Sequence, residues 1–123
     1  MRQETGRAGE NLAASLLEQD NWLIIERNWR TRRGEIDIIA LDGDTIVFVE
    51  VKTWPHGEEG DLEIVIGSQK VRRMVETAKC FLNTHRQYSG RYVRFDVFLV
   101  TSDPLGPGPQ VVRHLKDAIS ERV

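Results

Sequence analysis

Four charged residues interrupt two short apolar segments. Glu35 and Asp37 lie in Gly34-Glu35-Ile36-Asp37-Ile38-Ile39-Ala40-Leu41, and Glu50 and Lys52 lie in Thr45-Ile46-Val47-Phe48-Val49-Glu50-Val51-Lys52. Both segments have the β-branched and aromatic composition of strands, and Asp42-Gly43 between them reads as a tight hairpin turn. With those two residues as the loop, Leu41 pairs with Asp44, Asp37 faces Phe48 and Glu35 faces Glu50. Paired residues share a face, as do residues two apart, so all four charged side chains emerge together at the end away from the turn. Opposed carboxylates destabilise a sheet and raise each other's pKa, and Lys52 offsets only part of this. A hard divalent cation with oxygen ligands removes the conflict. Ile39, Leu41, Ile46 and Phe48 share that face, while Ile36, Ile38, Val47, Val49 and Val51 take the other. Apolar residues on both faces imply a sheet covered on both sides. Charges at the rim of such a sheet point to a metal or catalytic site more than to a solvated strand face.

The elements that must position these residues follow from periodicity. A first helix is expected from about Arg7 to Gln19, with Ala13, Leu16 and Leu17 on its apolar side and Glu10 sharing that side. A glutamate there needs a partner. It can cap a group, pair with an arginine or reach the carboxylate cluster. Trp22–Trp29 reads as a strand, followed by the hairpin. Thr53–Ile66, with Pro55, Gly57 and Gly60, reads mainly as a loop. A long helix is expected over Ser68–Thr84, with Val71, Met74, Val75, Ala78, Phe81 and Leu82 as its core stripe and Ser68 as N-cap. Its N-terminus favours anions, and Gln69 and Lys70 stand there. Tyr92–Val100 reads as a strand, with Phe95, Val97 and Leu99 on one side. Asp103–Pro109 is a breaker-rich loop, Gln110–Leu115 a short edge strand, and the tail helical. The expected order is α-β-β-β-α-β-β, an α/β class with a central mixed sheet flanked by helices.

At 123 residues the chain is expected to be one domain. Its one cysteine, Cys80, excludes an internal disulfide and reads as a small helical hydrophobe. His56, His85 and His114 have no ligand spacing, which argues against structural zinc. The N-terminal stretch has no apolar signal core and no segment approaches a membrane span, so a cytoplasmic location is expected. The net charge of −2 does not mark a nucleic-acid binder, but its distribution is uneven. Arg27, Arg30, Arg32 and Arg33 crowd before the Glu35 strand, and Lys70, Arg72 and Arg73 open the second helix. Glu58-Glu59-Gly60-Asp61 is acidic. Carboxylates flanked by arginines suit metal-assisted phosphodiester chemistry, in which cations hold phosphates and carboxylates hold the metal. No glycine-rich phosphate loop of the P-loop or dinucleotide type is present.

Asp37, the triplet Glu50-Val51-Lys52 and the helix glutamate Glu10 together resemble the PD-(D/E)xK nuclease superfamily, with its restriction-endonuclease-like core. More closely, the chain resembles the small uncharacterised bacterial YraN-type family. The resemblance rests on Gly6-Arg7-Ala8-Gly9-Glu10, Asn28-Trp29-Arg30, Gly34-Glu35-Ile36-Asp37, Phe48-Val49-Glu50-Val51-Lys52-Thr53, Lys70, Ala78 and Arg94-Phe95-Asp96-Val97, spread over nearly the whole chain. It is also similar in spacing to archaeal Holliday junction resolvases, dimeric Mg²⁺ enzymes that cut branched DNA. One departure is Trp54, where the family commonly has arginine; it can stack on a base or simply pack. The resemblance implies an endonuclease that hydrolyses nucleic-acid phosphodiesters, DNA before RNA, using Mg²⁺ or Mn²⁺. Asp37 and Glu50 would hold the metal, with the Val51 carbonyl as a further ligand and Glu10 in contact directly or through water. Lys52 would orient and activate the attacking water. Arg30, Arg32, Arg33, Lys70 and Arg73 would hold phosphates, with Glu35 and Gln69 as helpers. A symmetric homodimer would suit a two-strand cut. The second reading is a non-catalytic nucleic-acid-binding or adaptor module on the same fold.

Overall fold

The computed structural model of the protein describes residues 2–53 and 67–119, with side chains from residue 4 onward. The elements run α1 (Arg2–Gln19), β1 (Leu23–Arg30), β2 (Glu35–Asp42), β3 (Thr45–Thr53), α2 (Ser68–Thr84), a 3₁₀ turn (Arg86–Tyr88), β4 (Tyr92–Val100) and β5 (Val112–Leu115). This is the expected α-β-β-β-α-β-β order of an α/β protein. The five strands form one mixed sheet in the order β1-β2-β3-β4-β5. Sequential neighbours pair antiparallel except β3 and β4, which are parallel and joined through α2. A parallel pair requires such a crossover. No helix among the described residues is long and apolar enough to cross a membrane.

Apolar residues cover both faces of the sheet. On one face, Ala13, Ala14 and Leu17 of α1 pack with Ile38, Ala40, Val47, Val49, Phe98 and Val100. On the other, Met74, Val75, Ala78 and Phe81 of α2 pack with Ile36, Ile39, Ile46, Phe48 and Phe95. The α2 stripe is the expected one, with Thr77 added; its hydroxyl donates to the Arg73 carbonyl at 2.6 Å, so its burial leaves no polar group stranded.

Several boundaries and one register differ from the sequence reading. Helix α1 begins at Arg2, and it ends where Asn21 adopts a φ of 68° and donates to the Glu18 carbonyl, with Trp22 donating to Leu17. That is the left-handed helix stop asparagine tolerates. Helix α2 starts at Ser68, but Gly67 holds the cap position and no side chain among the described residues caps the helix. The edge strand is shorter than expected, Val112–Leu115. The Thr53–Ile66 loop beyond Thr53, including Trp54, His56 and the acidic run Glu58–Asp61, lies outside the described residues, as does the tail past residue 119.

The hairpin loop is Gly43-Asp44 rather than Asp42-Gly43. Asp42 stays in the ladder opposite Thr45, and its carboxylate takes a bond from Arg94 Nη2 at 3.3 Å, while Gly43 supplies a φ of 60°. The correction moves every partner by two residues, so faces are preserved. Asp37, not Glu35, comes level with Glu50, one step past the last ladder pair Ile38↔Val49. Ile36 is the one residue on the wrong side: it packs against α2 with Ile39, although Ile38 packs against α1. The alternation of β2 therefore breaks at Asp37. On neighbouring β1, Asn28 lies between the partners of Ile36 and Ile38 and has a φ of 54°, so both strands distort at the same level.

Candidate active site

Asp37 and Glu50 meet where β2 and β3 stop pairing. Beyond Ile38↔Val49 the Asp37 carboxylate takes over the ladder's work: its Oδ2 accepts the Val51 N–H at 2.8 Å. Strand β3 itself continues, held by β4 as far as Thr53↔Val100. The break in the sheet thus forms a notch whose two walls each carry a carboxylate. Glu50 is buried, and its Oε2 has no hydrogen-bond partner among the described residues. A buried carboxylate oxygen left without a donor is costly unless a cation or proton reaches it.

The charges around the notch are unevenly balanced. Burial, first, and then Glu10 and Glu35 push the Asp37 carboxyl up to about 6, against the opposing pull of the Val51 N–H and Lys70. Burial and then Asp37 push Glu50 up to about 8, opposed by Lys70 and Lys52. Lys70 reaches Glu50 from the first turn of α2, Nζ to Oε1 at 3.6 Å. Lys52 is exposed on the same strand as Glu50, two residues on. Near neutral pH this pair holds a proton more readily than ordinary carboxylates do.

Glu10 approaches from α1 but is already engaged. Its Oε1 accepts from Arg27 Nη2 at 3.1 Å and from Asn28 Nδ2 at 2.7 Å, and Arg27 also bonds Asn11 Oδ1 at 2.6 Å. Of the three fates open to it, pairing with an arginine is the one seen, at a distance from which its charge still raises Asp37. Asn28 reaches Glu10 from the left-handed position at the β1 distortion, a contact that sequence spacing did not suggest. An asparagine in a strand is the signal that could have prompted it. Gly9 sets how closely α1 approaches: a Cβ there would run into Thr53 Oγ1, itself buried without a hydrogen-bond partner among the described residues.

The expected phosphate-holding residues divide into two groups. Arg30, Lys70 and Arg73 line one cavity of about 310 Å³ with Thr31, Gly34, Glu35 and Met74. Arg30 Nε pairs with Glu35 Oε2 at 3.0 Å, and Gln69 Oε1 accepts from Arg73 Nη2 at 3.4 Å. Arg33 turns away to Glu76 at 3.8 Å, and Arg32 is exposed on the turn; neither lines the cavity.

A second charged cluster forms on β4, the strand next to β3, around Asp96, which lies level with Val49. Asp96 is fully buried and accepts from Arg94 Nε at 2.9 Å and Nη2 at 3.0 Å and from the Asp117 N–H at 2.9 Å, and it contacts His114 Nε2 at 2.8 Å. Burial alone would raise its pKa, but the bonds from His114, Arg94 and Asp117 hold it below the usual carboxylate range. Every oxygen is satisfied, which marks a structural clamp rather than an open site.

The donor set in the notch suits a hard cation: two carboxylates, one with a buried oxygen lacking a partner, beside backbone carbonyls of β3. Among the described residues no group of three or more Asp, Glu, His or Cys side chains is gathered to share one ion, in keeping with the engagement of Glu10 by Arg27 and Asn28. A Mg²⁺ site of one or two carboxylates completed by water and phosphate needs no third.

An α/β chain with a mixed sheet split at a carboxylate pair is the class that fold and site define. The model for the uncharacterised protein family UPF0102 matches residues 9–100, and the chain belongs to that family. A UPF0102 protein of Treponema denticola is 45% identical over 94% of this chain and 95% of its own length. One from Treponema pallidum (strain Nichols) is 46% identical over 96% and 94%, and one from Geobacter metallireducens is 43% identical over 92% and 89%.

Proposed function

We propose that this protein is a Mg²⁺- or Mn²⁺-dependent nuclease that hydrolyses nucleic-acid phosphodiesters in the cytoplasm, with branched DNA among its candidate substrates. The observation that carries the reading is the buried Asp37–Glu50 pair at the split in the sheet, with Glu50 Oε2 lacking a partner and a cation-lined cavity alongside. Two carboxyls buried together favour keeping a proton over carrying two charges, and a divalent cation is what would let both ionise favourably.

Asp37, Glu50 and the Val51 carbonyl would hold the ion, with Glu10 acting through a water because its Oε1 is occupied. When bound, the ion supplies charge neutralisation at the phosphate and lowers the pKa of a coordinated water. The Asp37–Val51 bond fixes both walls of the notch, so the donors are positioned before a substrate arrives. Lys52, exposed at the mouth, orients the attacking water and offsets charge developing on the phosphoryl oxygens. Arg30, Lys70 and Arg73 hold backbone phosphates, with Arg32 and Arg33 on the adjoining turn. A homodimer would place two such notches on opposite strands of one duplex.

The test is cleavage of labelled single-stranded, duplex, flap and four-way-junction DNA, with matching RNA forms, in Mg²⁺, Mn²⁺ or EDTA. Cutting that requires metal and is lost in Asp37→Ala, by at least about 10²-fold, is the expected result. Salt-sensitive binding without turnover on any substrate would replace the nuclease with a nucleic-acid-binding adaptor.

A further inference from the structure

The cavity and the carboxylate pair share one residue. Lys70 lines the cavity beside Arg30 and Arg73, and the same ammonium is the ion-pair partner of Glu50 at 3.6 Å. The other two cations are tied up on the cavity side: Arg30 with Glu35 and Arg73 with Gln69. Lys70 alone among the three contacts the notch. It is also half-exposed on a flexible four-carbon stem, so its head can turn between two anions without moving α2.

The cavity is built for close approach. Gly34 lets the β1–β2 turn lie against α2: a Cβ there would sit 3.0 Å from Thr77 Oγ1 and 3.2 Å from Arg73 Cβ. The Thr31 N–H to Gly34 carbonyl bond at 2.8 Å closes that turn, and Thr31 Oγ1 accepts the Arg33 N–H at 3.0 Å. The result is a cavity with a fixed floor and three cations in its lining, of a size that admits a phosphate group.

The geometry points to Lys70 as a switch that couples two sites: a phosphate of the nucleic-acid backbone bound between Arg30, Lys70 and Arg73 draws Lys70 from Glu50 and so opens the carboxylate pair to a divalent cation. This rests on the metal-site reading above and adds an order to it. Without phosphate, the ammonium occupies the place of the cation as Glu50's counter-charge and competes with it. With phosphate in the cavity, that competition is removed. Linkage makes the effect reciprocal: whatever factor phosphate adds to cation affinity, the cation adds to phosphate affinity.

The experiment is calorimetric titration of Mg²⁺ into the full chain, with and without saturating inorganic phosphate, with the protein-free titration subtracted. The expected result is Mg²⁺ binding at least about fivefold tighter with phosphate. In Lys70→Met, Mg²⁺ binds more tightly than to wild type without phosphate, and phosphate adds no further gain. Arg73→Met, folded by circular dichroism, weakens phosphate binding and shrinks the gain while Lys70 is intact. Equal Mg²⁺ affinity with and without phosphate in wild type overturns the coupling, as does a gain that survives Lys70→Met; metal-dependent cleavage would stand in either case. No Mg²⁺ binding under any condition overturns the coupling and the metal-site reading together. Dithymidylate with and without a 5′-phosphate, used in place of phosphate, identifies the source. A gain from the unphosphorylated dinucleotide assigns the cavity to an internal phosphodiester, and a gain only from the phosphorylated one to a strand end. A gain from free phosphate alone overturns the assignment to nucleic acid.

Discussion

Neutralising Glu50 is expected to stabilise the protein in the absence of metal. Its carboxyl and that of Asp37 are held above their ordinary values chiefly by burial. A carboxyl whose folded pKa is raised favours the folded state while protonated. That advantage fades as pH climbs from the unfolded value, about 4.3 for glutamate, through the folded one. The pair thus destabilises the metal-free fold increasingly as pH rises from the usual carboxylate range towards 8. Glu50→Gln should therefore raise the melting temperature at pH 8 in EDTA, and should abolish the further rise that Mg²⁺ gives wild type. A lower melting temperature for the variant in EDTA would contradict this account. Asp96 behaves in the opposite way. Its pKa is depressed, so its contribution is present above the usual carboxylate range and is lost as pH falls through its folded value. Asp96→Asn removes the buried acceptor of Arg94 and His114 but leaves Arg94 its bond to Asp42, and should cost about 1–3 kcal/mol in urea unfolding. The bonds of Asp96 run to Arg94, His114 and Asp117 rather than to Asp37 or Glu50, so cleavage per folded molecule should hardly change.

At the scale of elements, the notch depends on how closely α1 crosses β3 and on where β2 leaves the ladder. Gly9→Ala brings a methyl group against Thr53 Oγ1 and should destabilise by about 1–3 kcal/mol, the usual range for overpacking. Thr53→Ala should restore most of that loss, and a double-mutant cycle by urea denaturation measures the restoration. Additive effects would mean that the helix seats itself by some other contact. The strand register shows why the site was largely legible in sequence. Misplacing the loop by one residue moved partners by two, and a period-two pattern is blind to that, so Asp37 and Glu50 still come level although the pairs expected were Asp37 with Phe48 and Glu35 with Glu50. What the pattern could not show was the break at Asp37. The distortion at this level has no compositional mark beyond Asn28, whose φ is 54°, and it accompanies the turn of Ile36 towards α2 and the aspartate's bond from the Val51 N–H. Glu10 was placed on the right helix side, but its partners Arg27 and Asn28 come from a strand whose register periodicity leaves open.

At the scale of the whole molecule, the two charged clusters set opposing pH dependences. The Asp96 clamp weakens in acid, and the Asp37–Glu50 pair weakens the metal-free fold as pH rises towards 8. Stability in EDTA should peak in mildly acidic solution, between the two. Excess Mg²⁺ should lift the alkaline side more than the acid side, because cation binding displaces protons. Melting curves from pH 4 to 9 with and without Mg²⁺ test both statements; parallel curves would refute them. The element order was readable because each helix and strand carries its own periodicity. The Asp96 cluster was not, because Arg94, Asp96, His114 and Asp117 come together only through the β4–β5 pairing.

The parallel pairing of β3 with β4 also sets the order in which the molecule acquires its chemistry. The β2–β3 hairpin is local and can form early, whereas β4 joins β3 only after the chain has travelled through α2 and closed a long loop. Lys70, Arg73 and the wall that buries Glu50 belong to that late step. Val47→Ala, in the hairpin, should slow refolding, whereas Met74→Ala, in α2, should chiefly hasten unfolding. A nascent chain would then carry its acidic pair in a solvated, ordinary state until α2 docks, and would acquire its affinity for cation and phosphate only as folding is completed.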